Sequence, residues 1–426
     1  MSLFVKTGKA VKRFLKAHVL PPEVTYLGYC RRIERVQTSR RICAMTFDDG
    51  PMDLPPAPDQ FHGRALTDVL LDTLGEYGAK GTFDVVGDTG ENYPDHPGKT
   101  GGPAWGGVRF DHYPDFRQDH RGGAANNDRL IRRMLEEGHQ ITNHGYRHIL
   151  FGRKALVYGR RTHLKSVSRV EADLHRLDEL MREHYGYEMT MGRPPHYVDR
   201  IAGGFTSYDV YERMGYQYLA ASFDGAGWLP LSGASPLEAE VSAMTEPMRR
   251  ALEQDPDFFR GQIIFQKDGY NMARRTPVAW GLPIQLEMLR KYGYQVVTVK
   301  ALMEESPFAD VGREDPLFEK LRALAQDRAV AYTDNCLRLD RPMTAGELAM
   351  LMAPKEEALK RRWKRIRRAG KRQHPYCGAM EWCAEQGLLP RNIPLDGKIP
   401  SLPDRLFLHT QDFTRRGVYE AWRGDY

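Results

Sequence analysis

Thr46-Phe47-Asp48-Asp49-Gly50-Pro51 is the stretch on which the reading of this chain turns. The apolar run before it, Ile42-Cys43-Ala44-Met45-Thr46-Phe47, reads as a buried strand. Two adjacent carboxylates close the strand, and Gly50-Pro51 forces a turn. Neighbouring side chains in a strand point to opposite faces, but a turn at its end can bring both acids into one pocket. Crowded carboxylates repel, so such a pair holds a cation or shares a proton. A surface Asp-Asp-Gly turn has the same local sequence. The apolar run upstream and the histidines downstream favour a site.

Outward from this strand the pattern alternates. Arg64 to Tyr77 carries apolar residues at helical spacing, and Gly81 to Gly87 reads as a second strand. A Gly-, Asp- and aromatic-rich segment without periodicity covers 88–125. Loops of that length are functional or disordered. As a cover over a pocket, it offers the flat faces of Tyr93, Trp105, Phe110, Tyr113 and Phe116. Asn127 to Glu137 reads as a helix, His139 to Thr142 as a strand, and Ser166 to Tyr185 as an amphipathic helix. Further strands are expected at 188–191, 218–223, 262–265 and 295–299. About seven strands alternating with helices over 40–300 imply parallel βαβ units. The candidate residues follow the strands, the end that carries the active site in a β/α barrel. An open doubly wound sheet is the alternative, without a Gly-rich phosphate loop to support a nucleotide version of it.

Composition bounds the rest. The 426 residues are enough for two or more domains, and 41% hydrophobic with 28% charged residues is ordinary for a globular chain. A formal charge of +6 does not by itself imply nucleic acid. No run approaches the roughly 18 apolar residues of a membrane span. The basic N-terminus lacks the continuous apolar core of a secretory signal, and the five scattered cysteines suggest no disulfide framework. Together these features predict a cytoplasmic location. The division expected is an N-terminal extension, 1–39, a barrel, 40–304, and a helical accessory domain, 305–426.

The second informative stretch is Asn143-His144-Gly145-Tyr146-Arg147-His148, after the third expected strand. Histidines four apart share one face of a helical turn, where both imidazoles reach one ion. With 14 histidines in the chain, this spacing alone is weak. Combined with Asp-Asp at another strand end, it offers an Asp/His/His metal site and a spare carboxylate. That is the layout of metal-assisted hydrolysis.

TFDDGP, the HxxxH and Gly192-Arg193-Pro194-Pro195 resemble the first three motifs of the polysaccharide deacetylases, the NodB-homology enzymes of carbohydrate esterase family 4. The resemblance spans about 40–300. It implies a distorted (β/α) barrel of about seven strands and metal-dependent removal of acetyl groups from N-acetylated sugars. It implies a divalent ion, zinc first and cobalt or nickel as alternatives. By motif it implies Asp48 as base, Arg193 as the residue orienting it, and Asp49, His144 and His148 as ligands. Pro195, Asp224 and Trp228 fall on the substrate side, with Trp228 as a stacking wall or a core residue.

The later motifs depart from the family. Asp224 lies four residues before Trp228 rather than beside it, and Lys267 stands where the family has its acidic histidine. Lys267 is expected in the same pocket, as an acid whose proton a nearby dication makes easier to lose, or as a fixed charge for an anionic substrate. Asp224 or Asp268 is expected to hold it. Beyond 305, Phe308-Ala309-Asp310-Val311 and Arg341-Pro342-Met343-Thr344 resemble an S-layer homology module, implying a cell-wall polymer partner and a cell-surface location if it anchors. The basic run Lys360 to Arg372 reads as a solvated helix face or a linker. The function expected is a carbohydrate deacetylase acting on amide bonds. The alternatives are a non-catalytic wall-binding protein or a hydrolase of another non-peptide C–N bond.

Overall fold

The computed structural model describes residues 25–57, 60–88, 121–153, 155–156, 159–160, 163–228, 236–271, 275–399, 401–404, 406–408 and 410–423. The segment holding Tyr93, Trp105, Phe110, Tyr113 and Phe116 lies outside them. The strands are β1 (Arg32–Ile33), β2 (Ile42–Asp48), β3 (Thr82–Val85), β4 (Gln140–Asn143), β5 (Ala155–Leu156), β6 (Gly159–Arg160), β7 (Met191–Gly192), β8 (Gln217–Leu219), β9 (Phe223–Asp224), β10 (Ile263–Lys267) and β11 (Gln295–Val297). β5 and β6 form a small antiparallel hairpin. The other nine make one parallel sheet in the order β1-β8-β7-β4-β3-β2-β10-β9, with β11 on the first half of β2. Curled and helix-wrapped, this sheet is the distorted barrel expected, with more strands because several are only two residues long. It begins at β1, inside the stretch expected to be an extension. The chain after β1 returns to the other end of the sheet, where the Val36 amide donates to the Gly261 carbonyl at 2.9 Å.

Period-two alternation sorts β2 into two faces. Cys43, Met45 and Phe47 face the surrounding helices and belong to the main core, where Phe47 stacks on Phe83 at 5.0 Å. Ile42 and Ala44 face inward with Ile33, Met191, Leu219 and Ile263. The helix Val299–Glu305 plugs this inner layer with Val299 and Leu302. The lower barrel interior is therefore dry. Further along the same face come Thr46 and Asp48, toward the C-terminal strand ends.

The expected helices form at Leu66–Glu76, Asp128–Glu136, Val167–Tyr185 and Val278–Lys291. The Val167–Tyr185 helix shows why its ends fall where they do. Ser166 caps its start by accepting from the Arg169 amide, and Gly186 closes it at a φ of 60°.

Residues 305–426 are mainly helical and pack on the barrel through a second core that also takes in Tyr26 and Leu27. The basic run is neither a linker nor a wholly solvated face. It lies in the helix Lys355–Ala369, which buries Arg362, Trp363 and Ile366 while Lys360, Lys364, Arg367 and Arg368 stay exposed. Arg362 is 1% exposed and pairs with Asp209 and Glu212 on the barrel helix Ser207–Met214. Trp363 stacks on Phe205 at 6.1 Å. All five cysteines are free, and among the described residues no helix is long and apolar enough to cross a membrane.

Two tests follow from this packing. Arg362→Ala leaves buried Glu212 without its paired arginine and Asp209 with Arg372 alone, and is expected to cost about 3 kcal/mol in urea unfolding. His139 gives a pH test. The Gly81 amide donates to its Nδ1 at 2.9 Å, tying the starts of β3 and β4 to a neutral ring. Burial, helped by Lys80, lowers the imidazole to about 4 from an ordinary 6.5. The unfolded chain therefore binds the extra proton between those values, and stability falls as pH drops through that window. The expected loss between pH 7 and pH 5 is about 2 kcal/mol, and His139→Asn should remove that part of the pH dependence.

Candidate metal centre

Register builds the site. Lys267 on β10 pairs with Asp48 on β2, Asp48 with Asp84 on β3, and Asp84 with Thr142 on β4. Residues paired this way share a face, so the four side chains form one row across the C-terminal ends of adjacent strands. Thr142 closes the row by donating to Asp84 Oδ1 at 2.5 Å. Asp49 should point away, as the next residue. It joins the pocket because it leaves the strand in the left-handed region, at a φ of 78°. That conformation is strained for a residue with a Cβ. The turn is tight: a Cβ on Gly50 would run into the Asp268 carboxylate.

His144 and His148 follow β4, but not on the helical turn expected. Gly145 has a φ of 85° and His148 of 55°, which no right-handed turn allows. The loop nevertheless aims both imidazoles at one carboxylate oxygen. His144 Nε2 lies 3.2 Å and His148 Nε2 3.0 Å from Asp49 Oδ1. One ligand atom from each of the three residues falls within 4.8 Å of the others, and all three residues are buried. His144 Nδ1 is 2.8 Å from both the Arg193 carbonyl and Asp84 Oδ2. Only the carbonyl is in line for a hydrogen bond, and a carbonyl only accepts, so Nδ1 donates and Nε2 is the atom that faces Asp49. Two imidazole nitrogens and one carboxylate oxygen, with the tautomer set, are a donor set that fits a zinc-type ion.

Asp48 takes the other partner. Arg193, following β7 and fully buried, donates to the Asp48 carboxylate, to Thr46 Oγ1 at 3.1 Å and to the Leu219 carbonyl at 3.3 Å. The rings of Tyr197 and Phe265 each lie 5.3 Å from its guanidinium carbon. Pro195 is buried in the turn Pro195–Tyr197 beside it. The two neighbouring acids are thus divided, one to an arginine and one to the histidines.

Lys267 is 6% exposed and donates to Asp49 Oδ2. Asp224 and Asp268, the partners expected for it, are engaged elsewhere. Asp224 is exposed, accepts from Trp228 Nε1 at 3.1 and 3.0 Å and from the Ala226 amide at 2.7 Å, and closes its own turn. Asp268 accepts from Thr67 Oγ1 at 2.9 and 2.8 Å. Trp228 is half-buried beyond the end of β9, so it sits on the rim rather than in the core.

Charge follows geometry. Burial pushes Asp48 up to about 7; Arg193 and His144 pull it down, while Asp84 and Asp49 add to the rise. Burial also raises Asp49, but the Lys267 ammonium and the two imidazoles outweigh it and hold the carboxyl well below its ordinary range. Burial depresses His148 to about 4. His144 is depressed by burial too, but Asp84 and Asp48 reverse the sign and raise it well above the ordinary value. Burial raises Asp268 to about 7 against its Thr67 hydrogen bond.

Asp84 escaped sequence reading. Its signal was present, because Thr82-Phe83-Asp84 repeats Thr46-Phe47-Asp48. His196 was also missed; it is half-exposed, with its ring 5.1 Å from that of His148. A surface groove of about 470 Å³ lies elsewhere, between Tyr77, Arg249, Pro283 and Tyr292, and none of these site residues lines it.

With this geometry in place, comparison with known proteins is direct. Residues 35–219 match the polysaccharide deacetylase family. A peptidoglycan-N-acetylglucosamine deacetylase from Listeria monocytogenes is 23% identical over 294 residues, which are 69% of this chain and 43% of the relative. The chain thus spans less than half the length of that relative. Among solved structures, peptidoglycan deacetylase PdaC from Bacillus subtilis is 21% identical with a TM-score of 0.40, covering 68% of this chain and 97% of that one. A family 4 pseudoenzyme from Bacillus anthracis is 11% identical with a TM-score of 0.40, covering 64% and 68%.

The three-donor arrangement has a direct test. Asp49→Ala, His144→Ala and His148→Ala are each expected to lose zinc in equilibrium dialysis. Asp84→Asn removes a buried negative charge 2.8 Å from His144 Nδ1 and should weaken zinc binding without abolishing it. Retention of zinc by all three alanine variants would exclude this centre.

Proposed function

We propose that the chain removes acetyl groups from an N-acetylated sugar polymer with a divalent ion, zinc in the first place, held by Asp49, His144 and His148. The observation that carries this reading is the division of labour between Asp48 and Asp49. Asp49 Oδ1 meets both imidazoles, while Asp48, one residue away, is withheld by Arg193. One acid is thereby available as a ligand and the other as a base. The ion's contribution is that of a Lewis acid, polarising an acetamide carbonyl and activating water.

The protein's own residues supply the proton handling. Asp48 accepts the proton of the attacking water at a carboxylate oxygen. Arg193 fixes the direction of that oxygen through a bond buried from competing solvent. Burial raises the Asp48 carboxyl above its ordinary range, which makes it a better base than an exposed aspartate and lets it hand the proton on to the leaving amine. A dication beside it would lower the carboxyl, in competition with the burial that raises it. Lys267 could act as the acid expected from sequence only by leaving Asp49. Trp228, on the rim, and Pro195 are read as substrate-side residues. With the curated relatives as a guide, peptidoglycan is the first polymer to test. Such a substrate would put the protein outside the cytoplasm, against the location expected from sequence. Wall attachment through residues 305–426 would accompany it.

A second reading rests on one specific observation. No histidine stands at the end of β10, and the lysine in its place is tied to a ligand carboxylate. A protein that binds such polymers without cleaving them would tolerate that arrangement.

Acetate release separates the two. Zinc-loaded protein is expected to release acetate from N-acetylated glycan strands. Asp48→Asn is expected to lower kcat by at least about a thousandfold, in the upper range of general acid–base contributions, with zinc content unchanged. Saturable glycan binding without acetate release would establish the binding reading instead.

A further inference from the structure

We propose that Lys267 is a built-in counter-cation for Asp49 that holds the metal-free site together and weakens its grip on a divalent ion. The inference rests on the metal reading above and goes beyond it, because it assigns Lys267 to the ion's affinity rather than to the substrate.

Three observations meet here. First, Lys267 is held in place. It ends a central strand in register with Asp48, and its side chain is almost wholly buried. The absence of a side chain at Gly269 leaves room for its stem; a Cβ there would lie 3.3 Å from Lys267 Cε. Second, the partner is a proposed ligand. Lys267 Nζ binds Oδ2 of Asp49, while Oδ1 faces His144 and His148. The ammonium and an ion would therefore share one carboxylate, each drawing on the same negative charge. Third, the two cations would crowd each other. An ammonium on Oδ2 and a dication at Oδ1 would stand on opposite oxygens of one buried carboxylate, and like charges that close in a dry site repel strongly. Without an ion, Lys267 is the ammonium bonded to Asp49 where that carboxylate is buried beside Asp48 and Asp84.

The opposite effect is also physically possible. Lys267 could orient Asp49 for the ion, and its removal would then loosen binding. Measured affinity decides between them. The full chain is stripped with a chelator, and zinc is added in competition with a chromophoric chelator. Lys267→Met and Lys267→Gln are expected to bind zinc at least about tenfold more tightly than the unmodified chain, since each removes one buried positive charge. Lys267→Arg keeps the charge and should stay within about threefold of it. The stripped Met variant should melt at a lower temperature than the stripped unmodified chain, and saturating zinc should narrow that gap. Equal or weaker zinc binding by both neutral variants would overturn the inference and leave the metal reading standing. Folded protein that binds no zinc with lysine or methionine at 267 would overturn both.

Discussion

Three carboxylates buried side by side at the ends of β2 and β3 are the constraint around which this structure is arranged. Asp48, Asp49 and Asp84 are each at most 5% exposed, and ionised carboxylates in so small a dry space repel unless cations stand among them. Arg193 answers one, Lys267 another, and the imidazoles of His144 and His148 lie between. Each of these groups comes from the end of a different strand or from the loop that follows it. The barrel supplies that convergence, since parallel strands deliver all their C-terminal ends to one rim.

The rest of the molecule keeps that rim in place. Ile42, Ala44, Ile263 and the plug from Val299 and Leu302 fill the lower interior, so the polar row above rests on a packed floor. On the outer surface, the helix Lys355–Ala369 locks onto the barrel through Arg362 and Trp363. The residues before β1 pass into the C-terminal core, where the Leu27 amide donates to the Tyr376 hydroxyl at 2.8 Å. Residues 305–426 are therefore a buttress of the barrel, whatever else they bind. Strained backbone is concentrated at the site: Asp49, His148 and His196 all adopt left-handed conformations. Rigid surroundings are what allow such residues to persist.

Much of this was legible in the chain. The apolar run ending in Asp48-Asp49 located the central strand, and helical periodicity located the helices Leu66–Glu76, Asp128–Glu136 and Val167–Tyr185 closely, while the helix Leu237–Gln254 was not placed. The HxxxH spacing picked out two histidines that do converge on Asp49, though not on a helical turn, because Gly145 and His148 take positive φ values that spacing does not encode. Asp84 needed the register between β2 and β3, a long-range property, although the repeated Thr-Phe-Asp offered a local clue. The partner of Lys267 was out of reach. Asp224 and Asp268 are nearer in sequence or motif, but the row across the strands sets the ammonium against Asp49. The basic run misled because its exposed lysines and arginines outnumber Arg362, Trp363 and Ile366, which it buries.

The departure at Lys267 gives the family resemblance its interest. Its ammonium occupies one oxygen of the carboxylate on which the proposed metal centre depends, so the same side chain bears on metal affinity and on proton transfer. The most direct measurement is acetate release from N-acetylated glycan strands as zinc is added back to chelator-stripped protein. The account expects no acetate from the stripped protein, and release that rises with zinc and levels off at about one ion per chain. Release independent of zinc, or none at any zinc level from protein that binds it, would contradict a metal-dependent deacetylase.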